Sequence, residues 1–133
     1  MTLYDKILIT ILSLFALNFI ACRNDFYEEN GCEQWDSLNV ALNCLYNRHY
    51  DNYWKYVAKK NITPQEKKVI FLALHQQYDR FRQEDKKVFN FDEIKMRSEN
   101  EAEVFYSAVV GNDTLFCSQN MVLEDGDWKI KLF

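Results

Sequence analysis

The hydrophobic residues of this chain change period once, near Asp85, and that switch limits the folds open to it more than any other feature. Ahead of it, Leu38, Ala41, Leu42 and Leu45 recur at three- and four-residue spacing, as do Val69, Ile70, Ala73, Leu74, Tyr78 and Phe81. Such spacing is that of amphipathic helices. Beyond it, Ala102, Val104, Tyr106, Ala108 and Val110 alternate with Glu103, Phe105, Ser107 and Val109, which is the period of a strand. Helices first and strands afterwards predict an α+β domain with N-terminal helices packed on one face of an antiparallel sheet.

The spacing predicts a first helix from Trp35 or Asp36 to about Tyr46. After the interruption Asn47-Arg48-His49, a shorter second helix runs from Tyr50 to near Lys60. The third opens on a capping box, in which Thr63 accepts the amide of Glu66 while the Glu66 carboxylate reaches back, with Pro64 at the first helical position. Its apolar stripe continues to about Arg82. Four strands follow. Val88 to Arg97 is the first, and its alternation slips between Phe91 and Ile94, the mark of a bulge or bend. Gly111-Asn112-Asp113 and Glu124-Asp125-Gly126-Asp127 are turns that separate the later strands, Thr114 to Leu123 and Trp128 to Phe133, from their neighbours. Turns this short imply a meander.

The N-terminus carries a different message. An apolar run of about eleven residues from Ile7 to Leu17 follows Lys6, long enough for an export signal and short of the ~20 needed to span a bilayer. It is followed by Phe19-Ile20-Ala21-Cys22. That tetrad resembles the lipobox of bacterial lipoproteins, with Ile20 and Ala21 at the family's second and third positions and Phe19 where leucine is usual. The resemblance implies removal of residues 1–21 and acylation of Cys22, where several chains on one residue, at ~0.8 kcal/mol per buried methylene, make a stable anchor. Residues 22–34 then form the lipidated cysteine and a tether, and residues 35–133 the folded domain. Asp25, Glu28 and Glu29 resemble the acidic surface-export signal of Bacteroidota-type lipoproteins. The expected location is the bacterial outer membrane, facing either the periplasm or the outer surface.

With Cys22 spent, Cys32, Cys44 and Cys117 remain, and an oxidising compartment permits one disulfide. If Trp35 to Asn47 is helical, Cys44 lies more than ~12 Å along the axis from the helix start, so Cys32 would have to double back to reach it. A Cys44–Cys117 pair is the easier one, and three reduced, buried thiols are the equal alternative. No cysteine or histidine has metal-ligand spacing, and no cofactor is expected. A formal net charge of −4 and the lack of a basic block give no reason to expect a nucleic-acid partner. Lys59-Lys60 and Asp85-Lys86-Lys87 read as solvated turn charges. Three glycines, one proline and 16% aromatic residues argue against disorder.

Ala41-Leu42 before the aromatic-acid pair Tyr50-Asp51, the long third helix and the closing Leu123-Glu124-Asp125-Gly126-Asp127-Trp128-Lys129-Ile130 together resemble the NTF2-like, cystatin-like superfamily, and among it the small bacterial lipoproteins of the DUF4878 type. In the closing segment Gly126 permits the turn, Trp128 points inward and Lys129 and Lys131 face water. The resemblance implies a curved sheet wrapped around helices to leave a cone, a fold that hosts enzymes, ligand binders and scaffolds alike. The Asp or His–Asp pair that the superfamily's enzymes place in the cone does not map onto this chain, and His49 and His75 read as structural. Tyr50, Tyr53, Trp54, His75 and Tyr106 are the candidate pocket or interaction residues, while the dense set Tyr46, Tyr50, Tyr53, Trp54 and Tyr56 serves equally to cap a core. The expected function is a membrane-anchored, non-catalytic module that binds an envelope protein or a small apolar ligand. The alternatives are an immunity or inhibitor protein acting on an envelope toxin or hydrolase, and an enzyme with an unrecognised site. An open cone without titratable groups favours the first, a closed core with an exposed patch the second, and an apolar pocket with a desolvated carboxylate the third.

Overall fold

The computed structural model describes residues 32–133; the expected export segment, Cys22 and most of the expected tether lie outside them. Helix α1 spans Glu33–Tyr46 and starts two residues ahead of the expected Trp35. Cys32 is the reason. Its Sγ accepts the Trp35 amide at 3.3 Å, doing at the helix start what a hydroxyl or carboxylate oxygen usually does. Leu38, Ala41, Leu42 and Leu45 form the buried face of α1, as their spacing requires.

Helix α2 is only Tyr50–Trp54, well short of the expected Lys60. The next residues are drawn to the sheet edge instead. Val57 bridges Ile130, the Ala58 amide donates to the Ile130 carbonyl at 2.8 Å, and the Ile130 amide donates to the Tyr56 carbonyl at 2.7 Å. Long-range pairing here overrides a local helical preference. Helix α3 spans Pro64–Tyr78 with the full capping box in place. Glu66 N donates to Thr63 Oγ1 at 3.1 Å, and Thr63 N donates to Glu66 Oε1 at 3.0 Å. The helix ends before the expected Arg82, with Asp79 as its C-cap.

Strands β1 (Lys87–Met96), β2 (Glu101–Val110), β3 (Asp113–Glu124) and β4 (Asp127–Ile130) make one antiparallel sheet in sequence order. Phe91 pairs with Tyr106 and Glu93 with Phe105, leaving Asp92 as the extra residue of a bulge. The bulge explains the slipped alternation, because it moves the helix-facing set of β1 from Phe89 and Phe91 to Ile94 and Met96. Asp125 and Gly126 both have positive φ, 53° and 85°, as the two-residue turn joining β3 and β4 demands.

The helices cover the face presented by Phe89, Ile94, Val104, Tyr106, Ala108, Cys117, Met121, Trp128 and Ile130, all of which join one buried cluster with α1, α2 and α3. Each large side chain buried there stabilises by roughly 1.5–3 kcal/mol. Trp128 is buried, as its position after the turn implied, and Lys129 and Lys131 are partly exposed. The opposite face is unusually well covered along β2, where Glu103, Phe105 and Ser107 are also buried. The Glu103 carboxylate takes the Arg97 guanidinium and, at 3.0 Å, the Ser118 hydroxyl.

Candidate functional site

A sheet curved over helices can leave a cavity on its inner side, so the occupants of that side decide what the domain can do. Here aromatic rings make up a large share of them. Tyr46 packs edge-on against Tyr78 with ring centroids 5.1 Å apart and lies 4.9 Å from Phe81 and 5.0 Å from Phe89. Trp35 lies 6.1 Å from Tyr106 and 5.8 Å from Phe91. Tyr53 is 2% exposed. Burial pushes the phenols of Tyr46, Tyr53, Tyr78 and Tyr106 far up, so all four are neutral hydroxyls at any physiological pH. The two buried carboxylates, Glu93 and Glu103, belong to the other face, since they alternate with Ile94 and Val104 along their strands. Both histidines are exposed. Among the described residues, then, the space between sheet and helices is packed with rings and aliphatic side chains, and neither Glu93 nor Glu103 nor either histidine is buried in it.

A polar constellation does exist, but at the rim. Asp79 caps α3, His75 stands one turn earlier on the same helix, and Tyr50 opens α2. The Tyr50 hydroxyl donates to Asp79 Oδ1 at 2.7 Å, and His75 Nδ1 lies 3.0 Å from Asp79 Oδ2. The Tyr50 and His75 rings meet edge-on with centroids 4.5 Å apart. The Tyr50 hydrogen bond, helped by His75 and Arg48, holds the Asp79 carboxyl below the usual range. Burial, and then Asp79, push the Tyr50 phenol up. Chemically this is a carboxylate that orients an imidazole. His75 and Asp79 are, however, 54% and 48% exposed, so a group reacting there would stand in bulk water. The arrangement is suited to clamping α2 to the end of α3.

The structure thus brings together two of the nominated residues, Tyr50 and His75, through a third that the sequence reading passed over. The signal was present, since His75 and Asp79 are four residues apart on a helix and face one another. Tyr53 and Tyr106 lie inside the core. Trp54 is buried beneath Lys59 and Lys67.

The Cys44–Cys117 pairing is not formed, and Cys32, Cys44 and Cys117 are all free thiols. Their positions give the reason. Cys117 projects into the core beside Tyr106, Cys44 is half-buried within reach of Lys55, and Cys32 is occupied capping α1. Burial pushes all three thiols up. Cys22 lies outside the described residues.

An open groove of about 640 Å³ runs between the 58–62 segment and the sheet end, lined by Lys60, Ile62, Glu101, Glu124, Lys131 and Phe133 among others. The Lys131–Glu101 ion pair, at 2.9 Å, crosses it. It is a surface feature, separate from the aromatic interior. No group of three His, Cys, Asp or Glu side chains among the described residues is placed to hold a metal ion, and no described helix is long and apolar enough to cross a membrane.

No family model matches this chain, and no curated protein matches it. A solved structure does. A protein from Campylobacter jejuni, provisionally named an NTF2-like transpeptidase, superposes with a TM-score of 0.65 over 77% of this chain and 100% of its own, at 12% identity. The fold is NTF2-like. An NTF2-like sheet and helices are therefore present in full, and identity this low carries the fold alone. Within that fold Tyr46, Tyr53, Tyr78 and Tyr106 are buried between the sheet and the helices.

Proposed function

We propose that this chain is a lipid-anchored protein of the bacterial envelope whose NTF2-like domain works as a non-catalytic protein-interaction module, similar in kind to the small lipoproteins its sequence resembles. The observation that carries the reading is the filled interior. Tyr46, Tyr53, Tyr78 and Tyr106 occupy the space in which an NTF2-like cone would otherwise admit a small molecule, and the Tyr50–Asp79–His75 group stands at the rim. Recognition then falls to the exterior, where proteins or surfaces dock.

The transpeptidase name of the structural neighbour is not carried over. A thiol nucleophile needs a lowered pKa and an adjacent base, whereas the three described thiols are raised by burial, with Trp35, Lys55 and Tyr106 as their respective neighbours. Acylation of Cys22 supplies the anchor in this account. A closed core also suits the inhibitor reading, in which the partner is an envelope toxin or hydrolase.

The test is retention from envelope extract on the soluble domain, residues 23–133, with mass spectrometry of both proteins and small molecules. A stoichiometric protein partner supports the proposal, and a toxin or hydrolase in that position selects the inhibitor form. A retained small molecule with no protein overturns it.

A further inference from the structure

The fold brings Lys129 to a stretch of chain already rich in lysine. Between Lys55 and Lys68 the chain carries five lysines and a single acid, Glu66, whose Oε1 is already engaged by the Thr63 amide. Trp54 is the floor of the group. Lys59 Nζ and Lys67 Nζ lie 5.6 and 5.4 Å from its ring centroid. Lys129 arrives from β4 and donates from Nζ to the Lys55 carbonyl at 3.1 Å. Lys59, read from sequence as a solvated turn charge, is partly desolvated. Burial first, and then Lys129, lower its pKa, with Lys67 adding and Glu124 opposing.

Contacts to the Trp54 ring and to the Val57 and Lys55 carbonyls hold these ammonium groups in place, but they leave the mutual repulsion in force. Like charges crowd one ring, and Lys67 and Lys68 sit near the N-terminus of α3, the end at which a helix dipole disfavours cations. In a chain of net charge −4, a local excess of cations held against repulsion fits an anionic partner. Glu124, at the end of β3, borders the patch through the Lys59 amide.

The place of the patch narrows the partner. Gln34, just inside the start of α1, donates to Met96 Sδ at 3.8 Å, and Met96 pairs with Ala102, which pairs with Met121. Glu124, which accepts the Lys59 amide at 3.4 Å, lies at that same end of the sheet. The chain therefore enters the domain at the end that displays the lysines. The ten residues from Cys22 to Cys32 reach at most about 35 Å. We propose that the lysine cluster around Trp54 rests on the phosphate headgroups of the membrane to which the domain is tethered. This rests on the anchor reading above. A lipid tail would hold the protein at the surface, and the lysines would set which side faces it.

The test separates the two. The full chain carrying Cys22→Ser, which cannot be acylated, is mixed with vesicles of phosphatidylcholine alone and of phosphatidylcholine with phosphatidylglycerol. Whatever the apolar N-terminal segment contributes is common to every variant. Despite its net negative charge, the protein is expected to prefer the anionic vesicles, with a preference that falls as salt rises. Lys59→Gln, Lys67→Gln and Lys129→Gln together should lower that preference by roughly fivefold per lysine, and Lys86→Gln with Lys95→Gln by much less. If the triple variant does not fold, Lys67→Gln alone, on the exposed side of α3, should give about one fivefold step. Equal binding to both vesicles, an equal loss in the Lys86/Lys95 pair, or displacement by inorganic phosphate or polyglutamate at matched charge overturns the assignment. Palmitate incorporation at Cys22 of the unaltered chain is scored separately, so failure of the anchor and failure of the patch are different results.

Discussion

Tyr50 and Tyr53 lie a single helical turn apart and live in different worlds. Tyr53 points into the aromatic interior and is held by packing, while Tyr50 points along the rim and is held by a carboxylate. Both phenols are raised, Tyr53 by burial alone and Tyr50 by burial and its acceptor together. The interior sets whether the domain folds. The rim sets how its outer surface is arranged, and a change there should leave the fold standing.

The strongest attempt to break that contrast is Tyr53→Ala. Loss of a fully buried ring should destabilise by about 3–5 kcal/mol, read as a lowered urea midpoint. A change below about 1 kcal/mol would mean that the interior can collapse around the gap or is not closed. Thiol labelling sharpens the same contrast. Cys117, 8% exposed in the core, should label only through large-scale opening, on the order of a hundredfold or more slower than half-buried Cys44. Similar rates would place Cys117 on an accessible cavity wall.

Smaller effects belong to the rim. Tyr50→Phe removes the hydrogen bond to Asp79 and, discounted for solvent screening of a half-exposed carboxylate, should destabilise by about 0.5–1 kcal/mol. Its pH dependence has a fixed sign. Because the folded Asp79 carboxyl is lowered, the stabilisation is complete above the ordinary carboxylate range and disappears as pH falls through that range and below it. The wild-type advantage over Tyr50→Phe should therefore be present at neutral pH and vanish in acid, and the Asp79 carboxyl should titrate higher in the variant. His75→Gln, which alters an exposed ion pair, should change stability by less than about 0.5 kcal/mol. A much larger loss would reveal a buried role that its 54% exposure does not suggest.

The sequence made the layered architecture readable because that architecture is written in periods. The change from three-and-four spacing to alternation placed helices before strands, the slip between Phe91 and Ile94 marked the bulge at Asp92, and Thr63-Pro64-Gln65-Glu66 spelled out the start of α3. Misses occurred where a distant residue decides a local matter. Helix α2 stops early because Ile130 pairs with Tyr56 and Ala58. Helix α1 starts early because a cysteine serves as its cap. The clamp at the rim joins α2 to the end of α3, and half of it was visible as His75 and Asp79 at helical spacing. Lys129 reaches the lysine cluster from the far end of the chain, so nothing near Lys59 could announce it. Whether the cone was open or filled was also beyond periodicity, since alternation places Tyr106 on the inner face without saying how far the rings of Tyr46, Tyr53 and Tyr78 extend to meet it.

The central claim is that this interior holds side chains and nothing else. Native mass spectrometry of the protein purified from its own envelope under gentle detergent tests it most directly. The expected mass is the processed polypeptide with its acyl chains and no further adduct. A non-covalently bound small molecule that survives purification and is lost in Tyr53→Ala or Tyr106→Ala would contradict the claim and make the cone a ligand site.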